Sequence, residues 1–473
     1  MILLSIKTFI KQIQSGELDI LEHTQKTLED GEKANDQFNF FITPSTEYAL
    51  ERAKLLKQAI KDGKANNLSL LGLPISVKDN LCTKGIRTTC GSAILSSYIP
   101  PFSSTAISKL EEQGAIIIGK TAMDSFGFGT FNTNVGANMP IPKNPLDKER
   151  SCGGSSGGAG AATLAIKNAH VAIGESTGGS ITAPAAFCNV IGFTPTYGRI
   201  SRYGLIDYAN SLDKIGTLGK TVEDCEIVSK VMFGRDIKDE TSLQVSEPKI
   251  KPVKQIAIVK EMVENCDEVV KKEFWDFIKK LEKEGIKYKE ISLPIIDYAT
   301  YVYYIIATAE ASSNLAKFYG MRYGAQEEIK GSFNEHFTNI RSKYFSSEEK
   351  RRIILGTFVR TAGYKEKYYL KATKVRTKIK EEFTKVFKEF DAIVTPAMPI
   401  LPPKFSDIKK LTPMQNYALD KCTIPPNLIG LPHLSIPIAK SNGLPIAAQL
   451  ICNHLEENTL FEFGKGVEKI VKK

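Results

Sequence analysis

The chain has 473 residues, 42% hydrophobic and 25% charged, the make-up of an ordinary globular protein with enough apolar material for a large core. Its net charge of +10, from 63 basic and 53 acidic residues, is mild for that length. It gathers in helix-like runs such as Lys365 to Phe383, which read as a solvated helix face before a nucleic-acid footprint.

The eight cysteines (82, 90, 152, 188, 225, 266, 422 and 452) form no C-x-x-C pair and lie near no histidine pair. They indicate neither a zinc site nor a disulfide framework, and fit a reducing, cytoplasmic setting. The opening apolar run stops after four residues, too short for a signal sequence, and no stretch approaches a membrane span.

In chain order, residues 1–65 are charged with helical spacing and end at the break KDGKANN. Leu73 to Val77 reads as a buried strand carrying Lys78 and Asp79 at its end. A helix over 102–113 leads into GAIIIGKT, residues 114–121. Residues 151–187 are rich in Gly, Ser and Ala, and a loop-rich stretch follows to about residue 216. Near residue 240 the composition shifts toward Lys and Glu: a strand in QIAIVKE, then an amphipathic helix presenting Val270, Phe274, Phe277, Ile278 and Leu281, then a strand near YKEISL. Helices fill much of 303–390, and DAIVTPAMP, HLSIPIA and LPIAAQLIC are strand-like. Strands beside helices from end to end, with no linker, predict one large α/β domain with helices on both faces of its sheet. Its regions are 1–65 (helical), 66–240 (the chemistry-bearing core), 241–390 (helix-rich) and 391–473 (strands and a helix).

Two motifs in this order are misleading. GAIIIGKT matches the P-loop pattern letter for letter, but a phosphate cradle must curl so that its N–H groups converge. Three successive isoleucines are stiff and favour a pleated strand, so a buried strand ending at Gly119 is predicted. Gly154 to Gly158 fits the nucleophile-elbow pattern around Ser156, but an elbow follows a buried strand. The preceding residues, NPLDKERSC, are polar and proline-containing, and no later histidine has a catalytic context.

The informative segment is 151–187, where GGSSGG and TGGS flank an Ala-rich helix and the short strand HVAIG. Glycines let backbone approach a ligand closely, and successive N–H groups there can form an oxyanion hole. A flexible linker does not explain apolar, core-like interruptions. Without a well-placed histidine, Lys78 is the candidate to activate a serine. A lysine amine acts as a base only where desolvation favours its neutral form, which the end of a buried strand offers. Taken alone, a lysine there is more often structural.

Together SVKDN, CGGSSGG and GESTGGSITAPAAFCNVIGFTPTYGR resemble the amidase signature family, in order and over most of the chain; the family strand GA-apolar-GKT also recurs as GAIIIGKT. The resemblance implies a mixed central sheet and a Ser–cis-Ser–Lys triad: Ser180 as nucleophile, Ser155 after a cis Gly–Ser bond as the bridge, Lys78 as the base. The oxyanion would meet the backbone N–H groups of Thr177, Gly178, Gly179 and Ser180. Further segments, among them TYGRISRYGLIDYANSLDKIG and TIPPNLIGLPHLSIP, resemble the branch of the family that hydrolyses L-glutamine within tRNA-dependent amidotransferases. That likeness implies no cofactor in this chain, a B subunit that activates the tRNA-borne carboxylate with ATP and magnesium, a small C subunit, and contact with misacylated tRNA through the complex. Arg352 and Asp420 would hold the charged α-groups of glutamine, with Tyr304 nearby. An opposite-charge clamp suits a zwitterion, although by themselves these two residues read as surface ion pairs. A stand-alone amidase for a small or fatty amide, and a non-catalytic scaffold, are the competing readings.

Three departures stand out. The family's S-D-T-G-G-S is here Glu175-Ser176-Thr177 before the glycines, its K-P-T-Y-G begins at Thr194, and TFNTN follows Gly129 in place of SSTEN. None of them is expected to touch the triad.

Overall fold

The computed structural model describes residues 5–472 except 66, 137 and 247; the opening apolar run at 1–4 and one residue of the KDGKANN break lie outside the described residues. Thirteen strands follow one another: β1 (Phe41–Pro44), β2 (Pro74–Lys78), β3 (Ile116–Thr121), β4 (Lys143–Asn144), β5 (Asp147–Ser151), β6 (Val171–Ser176), β7 (Ile191–Thr194), β8 (Lys214–Gly219), β9 (Gln255–Val259), β10 (Lys287–Ile291), β11 (Ala392–Pro396), β12 (His433–Ser441) and β13 (Leu444–Ile451). Eleven of them form one sheet in the order β1-β3-β2-β6-β8-β7-β12-β13-β11-β9-β10, and β4 with β5 makes a separate hairpin. The sheet is mixed: β3, β2 and β6 run parallel, the strands from β6 to β11 pair antiparallel, and β11, β9 and β10 are again parallel.

The parallel strands need cover on both faces and so read as continuous apolar runs. All of Pro74–Lys78, Ile116–Thr121 and Val171–Ser176 is buried. Two large hydrophobic clusters make up most of the core among the described residues, one around β2, β3 and β6 and a larger one around β7 and β9 to β13, with a small third around Phe131, Phe187 and Met398. The helix Glu268–Lys283 buries Val270, Phe274, Phe277, Ile278 and Leu281, the face its spacing predicts. The helix Tyr369–Glu389 buries Ala372, Ile379, Phe383 and Val386 and leaves most of its lysines in water.

GAIIIGKT is indeed a strand, running two residues beyond Gly119. Lys120 points into the protein, where its ammonium donates to Thr88 Oγ1 (2.8 Å), Thr83 Oγ1 (3.2 Å) and the Leu81 carbonyl. Asp79 Oδ1 stands 3.9 Å away. The hydroxyls and carbonyl replace the lysine's water and leave no donor for a phosphate. A strand does precede the GGSSGG cluster, but it is β5, a partly exposed arm of the hairpin outside the main sheet.

Candidate active site

The register between β2 and β6 builds the site. Val77 pairs with Ile173 across the parallel ladder, so Lys78 and Glu175 emerge side by side where the two strands end. Lys78 Nζ donates to Ser155 Oγ (2.8 Å), to Glu175 Oε2 (2.8 Å) and to the Glu175 carbonyl (2.9 Å). Lys78 and Ser155 are wholly buried.

Ser155 reaches Lys78 because its loop is pinned on three sides. The Ser156 N–H donates to the Ser180 carbonyl (3.2 Å) and the Ser156 hydroxyl to the Glu175 carbonyl (3.1 Å), tying GGSSGG to TGGS. The helix Gly157–Ala165 then starts against the end of β3. A Cβ on Gly158 would lie 2.5 Å from the Ala122 nitrogen, so only glycine permits that approach. On the third side is Asp124, whose carboxylate accepts the N–H groups of Asn132 (2.8 Å) and Asn134 (2.9 Å) and lies where a side chain on Gly154 would sit. Burial pushes the Asp124 carboxyl up to about 7, against those hydrogen bonds. The Gly154–Ser155 peptide is cis, as the sequence resemblance implies.

Ser180 sits at the mouth: its residue is 7% exposed where Ser155 and Lys78 are closed off. It lines a cavity with Gly178, Gly179, Gly127 and Gly129 on one side and Tyr208, Tyr303, Tyr304, Arg352 and Asp420 on the other. The Gly179 N–H, expected at the oxyanion, donates here to Ser176 Oγ (3.2 Å). The Thr177 hydroxyl turns away from the cavity toward Glu175 and Asp213.

Arg352 and Asp420, which alone read as surface ion pairs, both belong to this cavity. Arg352, on the helix Ser347–Arg360, is buried; it donates to Glu348 Oε1 (2.7 Å) and to the Tyr208 hydroxyl (2.7 Å). The rings of Phe128, Tyr208, Tyr304 and Tyr417 surround its guanidinium at 5.0 to 5.9 Å, an aromatic cage that stabilises a cation. Asp420 is half-buried and accepts from Tyr304 Oη (2.6 Å) and Thr130 Oγ1 (3.0 Å). Burial raises its carboxyl to about 6 while those two hydrogen bonds and Arg352 pull the other way. No group of three or more His, Cys, Asp or Glu side chains among the described residues could hold a metal ion.

The expectation that the departures leave the triad untouched fails at Glu175, which lies directly on the lysine. Thr130, the first residue of TFNTN, touches Asp420 in the same way. Asp213, Glu348, Tyr208, Tyr417 and Asp124 escaped the sequence reading, and Glu175 entered it only as a departure from the family motif. Only Glu175 carried a signal, as an acidic residue in an otherwise apolar strand. Thr194, the third departure, is a buried residue of β7 paired with His433, and nothing near the site explains it.

A family model described as amidase matches residues 22–461. Curated relatives bearing the name of the A subunit of glutamyl-tRNA(Gln) amidotransferase include those of Sulfurisphaera tokodaii, 42% identical over 98% of both chains, and Clostridium novyi, 42% identical over 97% of this chain and 96% of its own. The crystal structure of the A subunit of glutamyl-tRNA(Gln) amidotransferase from Thermotoga maritima superposes with a TM-score of 0.77 at 34% identity, covering 94% of this chain and 90% of that one. A crystal structure described as an amidase shares the fold at 24% identity and a TM-score of 0.84.

Proposed function

The chain belongs to the amidase family, and from that premise we propose that it is the glutamine-hydrolysing component of a tRNA-dependent amidotransferase, its A subunit. The observation that carries the reading is one cavity holding Ser180, a caged arginine and a carboxylate, with the lysine-bonded Ser155 on the loop that Ser156 ties to Ser180. Glutamine fits that arrangement chemically, because its α-carboxylate matches Arg352, its α-ammonium matches Asp420 and its side-chain amide is left for Ser180.

In this reading Ser180 Oγ attacks the amide carbon, and its proton passes through Ser155 to the neutral amine of Lys78. The oxyanion is held by backbone N–H groups of the turn Thr177 to Ser180, with Gly179 exchanging its bond to Ser176 for the oxyanion. Each such donor is worth about 3–4 kcal/mol. Lys78 then returns the proton through Ser155 to the departing ammonia, and water cleaves the γ-glutamyl ester by the reverse path. The ammonia serves a B subunit that activates the tRNA-borne carboxylate with ATP and magnesium, and a C subunit completes the complex in the cytoplasm. Among the described residues no helix is long and apolar enough to cross a membrane.

The test is reconstitution of the chain with B and C subunits and amidation of misacylated tRNA. Ser180→Ala is expected to abolish amidation from glutamine and to leave amidation from free ammonia near the wild-type rate. Loss of both would show that ammonia transfer is not this chain's contribution.

A further inference from the structure

Lys78 has three oxygens around its nitrogen, and an ammonium has three hydrogens. A neutral amine donates to the two Glu175 oxygens and accepts the Ser155 hydroxyl, whereas the charged form, opposite an ionised Glu175, donates to Ser155. The charged form cannot take a proton from Ser155 until it has lost one of its own.

Glu175 is in turn held from behind. Its Oε2 also accepts from Asn80 Nδ2 (3.1 Å), and its Oε1 is 2.9 Å from Thr177 Oγ1. The same hydroxyl is 2.9 Å from Asp213 Oδ1. A hydroxyl has one hydrogen, so it serves one carboxylate and needs a proton between itself and the other. Glu175 already faces a cation, while at Asp213 burial outweighs the N–H groups of Tyr208 and Ala209, which by themselves favour its ionised form. The proton belongs on Asp213, which donates to Thr177 as Thr177 donates to Glu175. Burial, and then the neighbouring charge of Glu175, hold the Asp213 carboxyl far above the usual range.

We propose that Glu175 is a positioning residue for the serine relay: its carboxylate and carbonyl hold the Lys78 amine and aim it at Ser155, and its charge opposes the loss of the amine's proton. Asp213 keeps the pair neutral by holding its proton toward Thr177. The other titratable groups that act on the cluster include Asp124, on the loop after β3, the Cys90 thiol, and Asp207, whose charge acts on Asp213. All stay in place in the variants below. The inference deepens the glutaminase reading and rests on it for the identity of the relay.

The test follows the rate at which a fluorophosphonate phosphonylates Ser180 in the full chain, from about pH 5 to about pH 9, with L-glutamine hydrolysis by the reconstituted complex in parallel. Glu175→Gln keeps the shape and removes the charge. Its acid limb is expected to move to lower pH by about one unit or more, because an unpaired buried amine loses its proton more easily, with KM for glutamine within about twofold of wild type. Glu175→Asp, which draws the carboxylate back, moves the limb the same way by less and decides the matter should the glutamine variant fail to fold. Asp213→Asn, whose amide N–H can replace the acid proton toward Thr177, keeps the wild-type limb. A limb unmoved in the Glu175 variants, or displaced as far by Asp213→Asn, overturns the proposal. Labelling that follows this pattern without glutamine hydrolysis would tell against the substrate and leave the role of Glu175 standing. A wild-type Ser180 that is never labelled overturns both.

Discussion

Burial raises the Asp420 carboxyl to about 6, with its hydrogen bonds to Tyr304 and Thr130 opposing the rise. A carboxylate that binds the substrate ammonium must be ionised, so its contribution is present above that pH and is lost as acid protonates it. KM for glutamine is expected to rise below about pH 6, approaching tenfold per unit. Asp420→Asn removes one charge-assisted hydrogen bond, which corresponds to a KM increase of about 10- to 100-fold at neutral pH, without that acid dependence. A KM that stays flat from about pH 7 to about pH 5 would place the ammonium elsewhere. Asp420, Arg352 and Tyr304 were legible as a candidate clamp only by motif matching, since the first two lie 68 positions apart in sequence with helices and β11 between them. The Lys78–Glu175 contact was hidden for a related reason. It joins residues 97 apart through a strand register, and a single sequence does not display which strand ends meet.

The strands that sequence reading recovers are mostly apolar runs, such as β3 and β9, together with the polar edge strand β10, which follows an amphipathic helix. Those it misses are short or polar: β1 reads FITP, β7 reads IGFT, and the β4–β5 hairpin carries charges on an exposed ribbon. Their pairing partners, rather than their own composition, make them strands. Within β3 the isoleucines announce a strand, but the lysine after Gly119 makes it look like a phosphate loop. Lys120 is instead the counter-charge of buried Asp79, whose carboxyl is raised by burial and lowered by this lysine. Lys120→Ala leaves that carboxylate without its cation and is expected to destabilise the chain by about 3–5 kcal/mol. Urea denaturation measures this. Unchanged stability would mean that Asp79 is neutral in the fold, and weakened ATP binding by the chain alone would reopen the P-loop reading.

At the scale of the whole molecule, the two halves of the proposed substrate clamp are anchored very differently. Arg352 is set in a helix that buries Glu349, Arg352, Gly356 and Val359 and is capped by a reciprocal pair of bonds between Ser346 and Glu349. Asp420 is carried by the short helices Pro413–Ala418 and Leu419–Lys421; the first has the same kind of reciprocal cap, between Thr412 and Gln415, but neither buries a residue. Segments with so little apolar contact open at low free energy. The carboxylate jaw is therefore the soft one, and a bound zwitterion supplies the missing tether by joining it to the rigid arginine. In hydrogen–deuterium exchange, amides 413–421 are expected to exchange fast in the free protein and to slow about tenfold or more at saturating glutamine, whereas amides 349–359 barely change. Equal protection of the two segments by glutamine would contradict this asymmetry. Ligand capture then becomes a folding event confined to nine residues: the chain recognises its substrate by finishing a piece of itself.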